Sequence, residues 1–178
     1  MSIFKLENLS LLVQSFSPTH CDYLCENCIV ALESHKHSPG CKIEVKGEQN
    51  KEYILQWNKT FNKGGYKEIK KVTEKAAEAI SFFLAHELTD YGVVEESIYG
   101  TGIDFWLSYN EDHELYDPSN IFQARLEVSG IYEEKSNNNV NERSDLKKAQ
   151  VEASDFTKLP VYISIVEIAT PKALFIKK

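Results

Sequence analysis

Near its C-terminus the chain runs Val161-Tyr162-Ile163-Ser164-Ile165-Val166-Glu167-Ile168, with hardly a polar break. A β-branched, apolar run like this predicts a central strand with cover on both of its faces. Pro171 ends the run, and Ala173 to Ile176 reads as one edge strand.

The elements that would surround this strand follow from periodicity. Ile69, Val72, Ala76, Ala79, Ile80 and Phe83 fall on one face at helical spacing and predict a long helix from Tyr66 to about Asp90. Three strands are expected after it: Gly92 to Ser97, Ile103 to Tyr109, and Phe122 to Glu133. An acidic connection, Asn110 to Asp117, joins the last two. The asparagine-rich stretch Lys135 to Asn141 reads as a polar loop, and Glu142 to Ala153 as a second helix. From Tyr66 the predicted order is therefore helix, strand, strand, strand, helix, strand.

The first third is organised differently. Ile3 to Phe16 reads as a short helix or an arm, and Pro18 opens a helix to about Ser34. Cys41 to Lys46 and Glu52 to Trp57 alternate with period two around Gly47-Glu48-Gln49-Asn50, which predicts a β-hairpin. Asn62-Lys63-Gly64-Gly65 is the best internal boundary. It divides an N-terminal helix and hairpin lobe, residues 1–64, from a core of residues 65–178.

Composition narrows the function classes. With 178 residues, 42% apolar and 11% aromatic, the chain can bury a core of one α+β domain. No run approaches the length that spans a bilayer, so no membrane association is expected. The start lacks a basic region followed by an apolar one, so the expected location is the cytoplasm and the four cysteines are expected to stay reduced. A net charge of -7 argues against nonspecific coating of nucleic acid but leaves room for a local basic groove. Lys59, Lys63, Lys67, Lys70, Lys71 and Lys75 crowd the approach to the long helix and are candidates for contacting a phosphate backbone, against the plainer reading of a solvated face.

Two acids stand where chemistry is plausible. Gly100-Thr101-Gly102-Ile103-Asp104 puts one at the start of the second predicted strand, and Ala124-Arg125-Leu126-Glu127-Val128-Ser129 puts another inside the third. Carboxylates on neighbouring strands approach within about 5 Å. Hydrolysis of a phosphodiester at neutral pH needs a divalent ion, and magnesium typically takes one or two protein carboxylates and keeps its waters. The competing reading is that Asp104 caps a turn and Glu127 pairs with a cation.

These acids and the αβββαβ order resemble the PD-(D/E)xK nuclease superfamily over roughly Tyr66 to Ile168. The resemblance implies a restriction-endonuclease-like core with an N-terminal helix plus β-hairpin extension. It makes Asp104 and Glu127 the metal ligands and Glu78 (or Glu74) the acid from the first helix. Magnesium would be the cofactor, and nucleic acid the substrate, as in bacterial defence. Where the family pattern has lysine this chain has Ser129, so Lys148 or Lys147 on the second helix is the expected replacement. Helical geometry sets Glu74 and Glu78 opposite the apolar stripe of the first helix and Glu87 near the stripe's centre.

Two further patterns compete. Cys25, Cys28, His37 and Cys41 have the residue types of a zinc site. Yet Cys21, Cys25, Cys28 and Leu32 share one helical stripe, where free cysteines behave as small apolar groups, and core packing is the favoured reading. The rival functional class is a non-catalytic acidic interaction, immunity or regulatory protein that binds a protein partner or a second copy of itself. Ser129 in the lysine's place and the acidic stretch Glu111 to Asp117 support it.

Overall fold

The computed structural model describes residues 2–178. The C-terminal run forms β7 (Val161–Glu167), buried at every position. It lies inside an eight-stranded mixed sheet of order β1-β3-β2-β8-β7-β6-β5-β4. The strands are β1 (Ile3–Lys5), β2 (Cys41–Gly47), β3 (Lys51–Gln56), β4 (Tyr91–Glu96), β5 (Phe105–Tyr109), β6 (Ala124–Ile131), β7 and β8 (Lys172–Lys177). The chain is α+β.

Four α-helices accompany the sheet: α1 (Leu9–Leu12), α2 (Pro18–Ser34), α3 (Ile69–Leu88) and α4 (Val140–Gln150). Each long helix begins where capping chemistry starts it. Ser17 accepts the His20 N–H before α2, Glu68 accepts that of Lys70 before α3, and Asn139 accepts those of Asn141 and Glu142 before α4.

The period-two alternation of β7 sorts the core into two layers. Tyr162, Val166 and Phe175 join Ala76, Ala77 and Ile80 of α3 and the apolar face of α2. Val161, Ile163 and Ile165 pack instead with Ile103, Ile131 and Val151. Helices α2 and α3 thus cover one face of the sheet. The other face is covered by α4 and the 3-10 turns that continue it, Val151–Thr157.

Two expectations change on long-range pairing. Strand β8 is internal, because β2 of the N-terminal hairpin pairs parallel to its outer side while β7 pairs antiparallel to the other. The arm Ile3 to Phe16 opens as a strand, β1, parallel to β3, before a 3-10 turn leads into α1.

The feature that makes the site is a parting of strands. β6 pairs with β7 from Arg125 to Ile131, but with β5 only from Ala124 to Leu126. Beyond Leu126 the β5 side of β6 is open, and the first half of α3 lies over it. Gly130 permits that approach. A Cβ there would lie 2.6 Å from the Thr73 carbonyl oxygen and 2.9 Å from Thr73 Cγ2. Gly130→Ala is therefore expected to push α3 outward and cost about 1–3 kcal/mol, as overpacking does. That is a fall of about 2–10 °C in thermal unfolding; an unchanged midpoint would contradict the close approach.

Candidate active site

Where β5 parts from β6, Asp104 ties the two together. Its N–H donates to the Leu126 carbonyl at 3.0 Å, and its Oδ2 accepts the Val128 N–H at 2.8 Å. The carboxylate is half-buried at the mouth of the parting. Glu127 is fully buried, pointing to the α4 side of β6. Ser129, two residues on, shares that side, as strand periodicity requires.

Helix α4 supplies the partners of both. Lys147 Nζ donates to Glu127 Oε1 at 2.5 Å, and Gln150 Nε2 donates to the same oxygen at 2.9 Å. Lys147 also donates to Gln150 Oε1 at 2.8 Å. Arg143 Nη1 donates to Ser129 Oγ at 3.3 Å and Nη2 to Asn138 Oδ1 at 2.5 Å. Arg143, Lys147 and Gln150 stand four and three residues apart, which is one face of a helix. That stripe was present in the sequence, and Arg143 and Gln150 were missed because α4 has almost no apolar residues to show which face meets the sheet.

The same geometry decides between the lysines. Lys148 is exposed and donates to Asp145 Oδ1 at 3.2 Å, so it turns away from the acids. One residue is about 100° of helix rotation. Lys147 reaches the acids; Lys148 does not.

Helix α3 adds the third acid. Glu78 is largely buried and holds Lys75 Nζ at 2.6 and 2.9 Å. Glu74 is exposed and pairs with Lys70 at 3.9 Å, while Glu87, expected in the apolar stripe, is exposed and accepts from Ser2 Oγ. Glu78 is largely buried because α3 is covered by both the sheet and α2, so the face opposite its stripe is not solvent along the whole helix; Glu87 lies in the last turn, where the buried run of the helix has ended. Of the approach lysines, Lys59, Lys63, Lys67, Lys70 and Lys71 are exposed and Lys75 belongs to Glu78.

The electrostatics are those of a strained acidic cluster. Burial, with the Asp104 charge beside it, pushes the Glu127 carboxyl up to about 7 against the pull of Lys147. Burial also pushes Glu78 up to about 7, resisted by Lys75 and aided by the charges of Asp104 and Glu96. Glu127 Oε2 is buried and has no hydrogen-bond partner in the protein.

Two cavities meet at these acids. The inner one, about 290 Å³, is lined by Glu74, Glu78, Asp104, Ser129, Arg143 and Lys147, among others. The outer one, about 700 Å³, shares Glu78 and Asp104 with it and extends to Gln150 and the loop after β4.

Among the described residues, no three or more His, Cys, Asp or Glu side chains are grouped to hold a metal ion. The cysteines lie elsewhere: Cys21, Cys25 and Cys28 are buried in the α2 layer of the core, and Cys41 is half-buried. Burial pushes the Cys25 thiol up to about 12 and Cys28 well above its ordinary range, as for thiols packed in an apolar layer. His37 Nε2 instead faces the carbonyls of Ile168 and Ala169. Among the described residues, no helix is long and apolar enough to cross a membrane. Set beside family models, curated proteins and solved structures, the chain matches none of them.

Proposed function

We propose that this chain is a divalent-metal-dependent phosphodiesterase of the PD-(D/E)xK nuclease kind, with nucleic acid as its substrate. The order α3-β4-β5-β6-α4-β7 supports the reading, since it follows the αβββαβ order of that superfamily. One observation carries it: a buried acid, Glu127, bonded to the Lys147 ammonium, lies close enough to the Asp104 carboxyl to hydrogen-bond with it when one of the two holds a proton.

Magnesium is the ion that the resemblance implies, and the donors fit it. They are hard carboxylate oxygens from two neighbouring acids, of which Asp104 lines a cavity large enough for several waters and Glu127 lies buried behind it. Asp104 and Glu127 would hold the ion. When bound it would neutralise the phosphate and lower the pKa of a water.

The chain's own groups do the rest. Lys147 has three N–H donors and spends two, on Glu127 and Gln150, so one remains for an anionic oxygen in the cleft. It stands in for the lysine missing at Ser129. Arg143, at the inner cavity's wall, offers a fork of donors to a phosphate. Glu78, paired with Lys75, adds a third carboxyl to the cavity wall beside Asp104.

The test is metal-dependent cleavage. Purified protein with single- and double-stranded DNA and RNA is expected to cleave in Mg or Mn, to stop in EDTA, and to lose cleavage in Asp104→Ala/Glu127→Ala. Absence of cleavage from folded wild-type protein would overturn the reading and leave the non-catalytic partner-binding class.

A further inference from the structure

The tip of the loop between β4 and β5 is built in reverse of an ordinary loop: polar side chains bond within it while Ile98 and Tyr99 face water. Ser97 N–H donates to the Asp104 carbonyl at 2.7 Å, and Ser97 Oγ and Thr101 Oγ1 share a hydrogen bond of 2.7 Å. Thr101 Oγ1 also donates to the Ile98 carbonyl at 2.9 Å. Gly102 presses the loop's base onto the end of α4. Its φ is +74°, and a Cβ there would lie 2.3 Å from the Gln150 carbonyl oxygen, so only glycine fits. At the tip Ile98 is 78% exposed and Tyr99 fully so. Both side chains line the outer cavity, whose floor is Glu78 and Asp104.

Charge divides the two cavities. Arg143 and Lys147 line the inner one beside Glu74, Glu78 and Asp104, whereas the outer one has Glu78, Glu96 and Asp104 and no lysine or arginine. Cationic donors for a phosphate are therefore found in the inner cavity and not in the outer one. What enters the outer cavity beside a phosphate held in the inner one must be the uncharged part of the same ligand, and the surface waiting for it is an aromatic ring with an aliphatic neighbour.

We infer that the Ser97–Asp104 loop is a nucleobase-binding lip, with Tyr99 as its stacking face, and that the substrate of this cleft is single-stranded or unpaired nucleic acid. The inference rests on the phosphodiesterase reading for the inner cavity, and it adds the substrate class. Stacking of a base on an aromatic ring is sequence-tolerant and needs the base outside a duplex stack. A duplex would also need many phosphates neutralised, and the inner cavity is lined by two cations, Arg143 and Lys147.

Binding of fluorescent 12-nucleotide single strands of DNA and RNA, their duplexes, and the same strands with abasic sites tests it by anisotropy, with strand integrity checked on a gel. Wild type is expected to prefer the single strand with bases. Tyr99→Ala is expected to weaken that binding about tenfold, Tyr99→Phe to keep it, and the abasic strand to be insensitive to either change. Equal binding to duplex and single strand, no loss in Tyr99→Ala, or no binding of any strand by wild type would each overturn the inference. Cleavage followed in parallel separates the two readings. Strand binding through Tyr99 without metal-dependent cleavage sinks the phosphodiesterase alone. Cleavage indifferent to Tyr99→Ala sinks the lip alone. If the tip serves a protein partner instead, Tyr99→Ala will leave every nucleic-acid readout unchanged.

Discussion

Lys147→Met is expected to lower metal-dependent cleavage by about 10²–10³-fold, the usual cost of removing one preorganised donor from a transition state. Lys148→Met, one residue away and exposed, is expected to change it no more than an ordinary surface substitution would, within about 0.5 kcal/mol. The pair of variants separates a lysine that reaches the acids from one that only neighbours it in sequence. Stability supplies a second signature. Without the ammonium, Glu127 is a buried carboxyl with no cation, and an uncompensated buried charge costs about 3–5 kcal/mol. The cost is avoidable while the carboxyl can hold a proton. Its folded pKa, already raised to about 7, rises further in the variant, so stability is complete below the ordinary carboxylate range and is lost as pH climbs through the folded value. Thermal unfolding in EDTA should therefore find the variant close to wild type near pH 6 and well below it near pH 9. A gap that does not widen with pH would mean that Lys147 does not neutralise Glu127.

How much of this was legible in the sequence varies with the reach of the interaction. β7 could be read because burial on both faces writes itself into consecutive side chains. α3 could be read because twenty residues carry a long apolar stripe. The acids Asp104 and Glu127 could be picked out because each is a charge in company that should exclude it. Other features depend on partners far along the chain. Ala173-Leu174-Phe175-Ile176 is apolar on both faces, a sign of an internal strand, but which strand flanks β8 is decided by β2, more than a hundred residues earlier. β1 has three residues, too few for any period. In α4 only Ser144 is buried, so its sequence contains no apolar stripe, and nothing local told Lys147 from Lys148. The catalytic side of a helix is then visible only through what it touches.

A neutral copy of the site is expected to be dead and more stable than the original. In Asp104→Asn/Glu127→Gln both carboxylates lose their charge while keeping their shape, so metal-dependent cleavage falls to background. The fold, however, is relieved. A carboxyl whose pKa rises from its ordinary range to about 7 on folding is one that the folded state would rather have uncharged. Each unit of that rise is worth about 1.4 kcal/mol at pH values above it. Gln at 127 can still accept from Lys147 and Asn at 104 can still accept from the Val128 N–H, and the Lys147 ammonium, 18% exposed where Glu127 is fully buried, keeps water for its charge, so the hydrogen bonds survive while the repulsion between the two acids does not. The gain should be on the order of 1–3 kcal/mol in EDTA, the trade of stability for function seen where sites concentrate like charge. Magnesium should narrow the difference if Asp104 and Glu127 hold it as proposed, because ligand binding to the native state raises its stability and the variant lacks both carboxylates. The opposite result, a variant less stable than wild type in EDTA and a wild type indifferent to magnesium, would make Glu127 and Lys147 a structural strut between β6 and α4. The orphaned Oε2 would then be a cost with no chemistry to explain it.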